Sequence, residues 1–129
     1  FISRVVFGRL NENFFDLVSG QSYARFRYHF DATVGHSVAI EDGVAGILLR
    51  ARRTMSMGDS YTKRSGDLHN VTDVQRGTVT ISAWGPRISE AVVLKGTGAS
   101  AEDCKALSGM SVEELRAILE NVKERLSNE

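Results

Sequence analysis

One cysteine, Cys104, stands in a chain of 129 residues, so no internal disulfide framework can staple this protein. A lone thiol fits a reducing compartment, and an intracellular location is the expectation. No apolar run approaches the roughly 20 residues that a membrane-crossing helix needs, and no basic, apolar, small-residue leader opens the chain. We therefore expect a protein without a membrane span. Phe1 stands where Met would open a complete chain, which reads as a processed product or a piece of a larger protein. Charge of one sign is also missing: 16 basic side chains face 16 acidic ones, without the strongly basic footprint of a dedicated nucleic-acid binder. The histidines, at 29, 36 and 69, and the single cysteine form no His-x-x-x-His or Cys-x-x-Cys pair. No metal or other cofactor is expected on that spacing.

What is present bounds the fold. With 42% hydrophobic and 25% charged residues, the chain has the composition and length of one globular domain able to bury a core. Residues 1–95 hold 12 basic and 9 acidic side chains, while residues 96–129 hold 4 and 7. A body of +3 and a tail of −3 give weak support to an anionic partner on the body. Arginine outnumbers lysine 12 to 4, and guanidinium groups suit bidentate and stacked contacts at interfaces; genomic base composition produces the same bias.

The most informative stretch is Ser22 to Phe30, Ser-Tyr-Ala-Arg-Phe-Arg-Tyr-His-Phe. Alternation sends Ala24, Phe26, Tyr28 and Phe30 to one side of a strand and Tyr23, Arg25, Arg27 and His29 to the other. The first set suits a core, the second a binding face. Upstream, Ile2 to Leu10 reads as a strand, residues 11–13 as a turn, and Phe14 to Val18 as a short helix or strand closed by Ser19-Gly20. Downstream, Val34-Gly35 reads as a turn, His36 to Ile40 as a strand, and Glu41-Asp42-Gly43 as a hairpin turn, because Asp-Gly supplies the positive φ such turns require. Val44 to Met57 follows as a strand whose first half is too apolar for an exposed edge. Arg50, Arg52 and Arg53 mark where it meets solvent.

Gly58 to Asn70 is polar and reads as a loop with a short strand near Tyr61. Strands are expected at Val71 to Val74, at Gly77 to Trp84 and at Ala91 to Lys95, with Trp84 in the core. Two helix starts come last: Ser100 with Asp103 and Ser111 with Glu114 each set a hydroxyl three residues before a carboxylate, the capping-box pattern. Gly109 would end the first helix. In the second, Val112, Leu115, Leu119, Val122 and Leu126 recur as one apolar stripe, widened by Ile118. Spanning only about two heptads, the stripe suits packing onto a sheet better than a coiled-coil seam; assembly through it is the alternative.

Many strands followed by a terminal helix form an α+β order. The run Tyr23 to Asp31, then Glu41 to Arg50, resembles the first hairpin of the pleckstrin-homology-like superfold, nearest its Ran-binding, EVH1 and decapping-activator branches. Ala91-Val-Val-Leu-Lys95 followed by Ser100 to Leu107 is similar to their last strand and closing helix. The resemblance covers about two thirds of the chain and implies a bent antiparallel sheet or open barrel closed by a C-terminal helix. One departure matters: the tryptophan those branches carry between the two strands is replaced here by Gly35-His36-Ser37-Val38. Proline-rich ligands need an exposed aromatic groove, so an EVH1-type activity loses its support.

Catalytic motifs fail on their partners. Gly58-Asp59-Ser60 matches a hydrolase nucleophile block, but that mechanism needs a late histidine, and His69 is the last one. Lys95-Gly-Thr-Gly98 lacks phosphate-loop spacing. Asp67 and Asp73 flank His69 in a polar region where carboxylates are solvated. The expectation is a non-catalytic domain that recognises a protein partner through Tyr23, Arg25, Arg27, His29, Arg50, Arg52 and Arg53, with the last helix available for assembly. Single-stranded RNA or DNA on the same residues is the second reading, through base stacking on aromatic rings.

Overall fold

The computed structural model describes residues 1–33, 36–64, 66–86, 90–104 and 109–128, and the His36 side chain is outside that description. Among the described residues, seven strands precede one α-helix: β1 Ile2–Phe7, β2 Arg9–Asp31, β3 His36–Ser56, β4 Ser60–Thr62, β5 Leu68–Thr72, β6 Val79–Ala83, β7 Glu90–Gly96, then a short 3₁₀ turn Ala101–Cys104 and α1 Val112–Ser127. They form two antiparallel sheets, in the orders β4-β1-β6 and β3-β2-β5, with β7 also paired to β2. This agrees with the α+β expectation and is consistent with a pleckstrin-homology-like arrangement; no closed barrel forms among the described residues. Nor is any described helix long and apolar enough to cross a membrane.

The two sheets meet where the chain turns at Gly8 (φ 78°). On β1 the inward residues Ser3, Val5 and Phe7 are buried, as period-two alternation dictates. Val5 packs with Leu10 of β2, Met55 of β3 and Tyr61 of β4, with Phe1 against them. Residues 11–13, expected as a turn, are strand instead. Asn13 Nδ2 donates to Asn70 Oδ1 (2.9 Å) and Thr72 Oγ1 (3.0 Å), and Asn11 Nδ2 donates to Asp73 Oδ2 (2.7 Å). Side-chain partners on both neighbouring strands satisfy the amides that make asparagine a turn former elsewhere.

β2 and β3 form one long ribbon from Arg9↔Ser56 to Asp31↔His36, broken at three places. Asp42-Gly43, expected as a hairpin turn, lies at one of them, inside β3. Gly43 does take positive φ (85°), but a bulge asks for that conformation as readily as a turn does. The expected turn at Val34-Gly35 lies outside the described residues. A wider break separates Val18↔Gly46 from Tyr23↔Ala45, leaving Ser19 to Ser22 unpaired with β3. Here Gly20 and Gly46 approach so closely that a Cβ on Gly20 would sit 3.0 Å from the Gly46 Cα.

The other edge of β2 is shared. β5 pairs with residues 11–15 and β7 with residues 23–29, so among the described residues 16–22 have no third strand. Among the described residues, the outer edge of β3 carries no strand.

The helix starts as expected. Glu114 N donates to Ser111 Oγ (3.2 Å), and Ser111 N donates to Glu114 Oε2 (2.8 Å). Among the described residues its stripe is left mostly uncovered: Val112, Leu115, Ile118, Leu119 and Leu126 are exposed, and Val122 is half-buried. The described contacts that tie it to the sheets come from Arg125, whose Nη1 donates to the Gly77 carbonyl (2.9 Å) and whose guanidinium lies 4.1 Å from the Phe7 ring centroid. Trp84, expected in the core, is 76% exposed just past the end of β6, with its ring 6.0 Å from that of Phe1. The strand that was to carry it inward ends at Ala83.

Candidate functional site

The alternation read from residues 22–30 holds in part. Phe26 is 1% exposed, and the Tyr28 hydroxyl donates to the Cys104 carbonyl, tying the 3₁₀ turn to this sheet. Burial, and then the Cys104 thiol beside it, pushes the Tyr28 phenol up to about 12. Phe30, at the end of the strand, is exposed. On the opposite face Tyr23, Arg25 and His29 are half-buried and Arg27 is exposed.

The two arginines there are already engaged. Arg25 Nε donates to the Asp42 carbonyl (2.9 Å) while its Nη2 meets Asp42 Oδ2 at 3.0 Å, and Arg27 Nη2 lies 3.5 Å from Asp42 Oδ1. The bulge at Asp42-Gly43 turns this carboxylate onto both guanidinium groups. The sequence pattern hid that clamp, because Asp-Gly reads first as a turn.

Arg50, Arg52 and Arg53 do not join that face. Register places Arg52 opposite Asn13 and Arg53 opposite Glu12, far along the ribbon from Tyr23 to His29. Arg52 Nε donates to Asn13 Oδ1 (2.7 Å), and Arg50 meets Asp16 and Asp67 at 3.5 Å each. Arg53 and Arg50 lie over the Phe14 ring, at 5.6 and 5.9 Å from its centroid. The expectation that one surface gathers all seven residues is therefore corrected: β2 and β3 do pair, but antiparallel register separates the two basic clusters.

Sequence reasoning also missed a buried ion pair. Glu12 and Lys63 are both buried, with the Lys63 ammonium against Glu12 Oε1 and over the rings of Phe1 and Tyr61 at 5.0 and 5.2 Å. Glu12 Oε2 has no hydrogen-bond partner. Glu12 follows the ordinary inward alternation of Leu10 and Phe14, so its period was legible although its partner was not.

The motifs weighed for catalysis have structural uses. The Asp59 carboxylate accepts from Ser56 N (2.8 Å) in the turn into β4. Asp67 accepts from Arg64 N (2.9 Å), and that amide holds its carboxyl below the usual range. Ala99 N donates to the Gly96 carbonyl (3.1 Å), making Lys95 to Gly98 a strand-to-helix connection. Among the described residues, no group of three or more His, Cys, Asp or Glu is placed to hold a metal ion.

Besides the helix stripe, a second apolar feature is left uncommitted. In the middle of the ribbon Val44, Leu48 and Leu49 are 54%, 61% and 48% exposed, and Leu17 and Val18 across from them are also exposed. The sequence of β3 reads as too apolar for an edge, yet β3 is an edge. The whole chain exposes 9426 Å², whereas a compact monomer of 14.2 kDa is expected to expose roughly 6,800 Å². Compared with protein-family models, curated proteins and solved structures, the chain matches none.

Proposed function

We propose that this chain is a non-catalytic domain that binds a protein partner, and that the partner covers the exposed middle of the β2–β3 ribbon. The supporting observation is the surplus of exposed surface, roughly 2,600 Å² above a compact monomer of this mass, part of it the apolar run Val44 to Leu49. Apolar area left in water is unfavourable by roughly 25 cal/mol per Å², and large exposed apolar patches mark interaction sites. Arg50 and Arg53 flank the run and supply a charged rim. Within the pleckstrin-homology-like class, the Ran-binding and decapping-activator branches that the first hairpin resembles fit this reading better than EVH1, whose tryptophan is absent. The Tyr23 to His29 face contributes less, since Asp42 already engages Arg25 and Arg27 and offsets one of their two charges.

A photo-cross-linking residue introduced at Leu48 of the full chain, in the cells that make it, tests this. Adducts to a polypeptide at a mapped residue pair are expected. No adduct beyond that given by the same residue at Glu120 would overturn the proposal. So would saturable binding of an unstructured oligonucleotide that falls steeply with salt and disappears in R25E/R27E, which would install the nucleic-acid reading instead.

A further inference from the structure

β3 carries its charges in a particular order. Glu41 and Asp42 come first, Val44 to Leu49 form an apolar centre, and Arg50, Arg52 and Arg53 follow. An acid-apolar-base strand is complementary to itself when two copies run antiparallel. Counted in residues, Glu41 and Arg53 lie equally far from Ile47; Asp42 and Arg52 match in position too, but they are already held by Arg25 and Arg27 and by Asn13 within the chain. A two-fold axis near Ile47 therefore sets the acidic end of each strand against the basic end of the other and apolar centre against apolar centre.

Building on the protein-binding reading above, we infer that the partner is a second copy of this chain, joined through the outer edges of the two β3 strands into one continuous sheet. Three observations carry this. First, β3 is an edge of 21 residues, and an edge strand offers a row of unpaired amides and carbonyls that template pairing with another strand. Secondly, the extra residues that β3 itself carries lie to the sides of its centre, at Asp42-Gly43 and at Arg50, while the break opposite Ala45-Gly46 takes its extra residues from β2. The centre holds no proline and no charge. Thirdly, Glu41 makes no ion pair among the described residues, and Arg53 meets only the Phe14 ring, so both ends remain available for a cross-copy contact. Two-fold symmetry uses each contact twice, as isologous dimers do. The surplus exposure of roughly 2,600 Å², which β3 shares with the uncovered helix, leaves room for the ~800 Å² that each partner buries in a standard interface.

Sedimentation and light scattering of the purified full chain across a concentration series test the inference. A reversible dimer is expected. Glu41→Arg alone sets arginine against the partner copy's arginines, and Arg53→Glu alone sets acid against acid. Each should weaken the dimer at least tenfold. Combining both reverses the pair and should return affinity to within a few-fold of the unmodified chain, a recovery that a mere folding defect would not show. Hydrogen exchange at Val44 to Leu49 should slow as the dimer forms.

A dimer indifferent to both charge changes but lost in L115E/L119E would assign assembly to the helix stripe and overturn the inference. A chain that stays monomeric while the Leu48 cross-link maps to a different polypeptide overturns self-pairing and leaves the protein-binding reading standing. If the chain is monomeric and Leu48 yields no polypeptide adduct, both fall.

Discussion

The base of the ribbon and its middle are made of the same two strands, and they differ in what flanks them. At the base, residues 11–15 of β2 lie between β3 and β5, with β1 and β4 packed across Leu10 and Met55. In the middle, residues 16–18 pair with β3 alone among the described strands, and Leu17, Val18, Val44, Leu48 and Leu49 face water while Ala45 stays buried. A two-stranded ribbon is at best marginally stable by itself in water. The middle is therefore held by its two ends. Strand propensity runs the other way, with Asn11, Glu12 and Asn13 at the base and Leu, Val and Ile in the middle, so the contrast comes from tertiary cover.

The largest way to break this contrast is at the buried pair. Lys63→Met should destabilise the fold by about 3–5 kcal/mol, because Glu12 would remain as an uncompensated buried charge. Adding Glu12→Leu should recover most of that loss. Urea unfolding followed by tyrosine and tryptophan fluorescence reads both variants, and no recovery in the double variant would mean that the pair does more than neutralise itself.

Next in size is a matched truncation. Leu10→Ala at the base should cost about 2–5 kcal/mol, whereas Leu48→Ala should change the stability of the dissociated monomer by no more than about 0.5 kcal/mol. Equal losses under dilute conditions would show the middle to be covered from within the chain. Smaller still, Ser111→Ala should cost the helix about 1 kcal/mol through its lost cap, visible as reduced helicity by circular dichroism. Since so little of the helix touches the sheets, unfolding of the base should hardly shift.

The smallest expected effect is a pH dependence of that same cap. The Ser111 amide holds the Glu114 carboxyl below its usual range. Its support for the helix is thus complete above the ordinary glutamate pKa and is lost as pH falls through the lowered one. Helicity should decline on that acidic limb, and S111P, which removes the donating amide, should move the limb upward.

Much of this architecture was legible in sequence. Alternation located the inward Phe26 and the strands around Tyr61, Ile81 and Val93, and the Ser111 capping box marked a helix start where the structure has one. Physical ambiguity explains the rest. A positive φ at Gly43 serves a bulge as well as a turn, and only long-range register decides which. Asn11 and Asn13 carry a local turn preference that partners on β3 and β5 override. The basic residues of the candidate site were identifiable by type, but one-dimensional spacing could not separate Arg50 to Arg53 from Arg25 and Arg27, or show that Asp42 holds the latter pair. The apolar stretch of β3 was read as buried; the structure makes that reading informative by leaving it uncovered.

The turn at Gly8 bears on the order of folding. Because the chain passes there from one sheet to the other, β1 finds its strand partners only at residues 60–62 and 79–83, and closing such long loops costs more entropy than closing short ones. The β2–β3 ribbon joins neighbours in sequence through a tip between Asp31 and His36, and local pairings of that kind form fastest. In a nascent chain the ribbon is thus expected to start pairing, its middle still marginal, before β1 closes the base that anchors it. Encounters between copies can begin during folding, when crowding on one message or at one site of synthesis decides whether they end in ordered pairing or in aggregation.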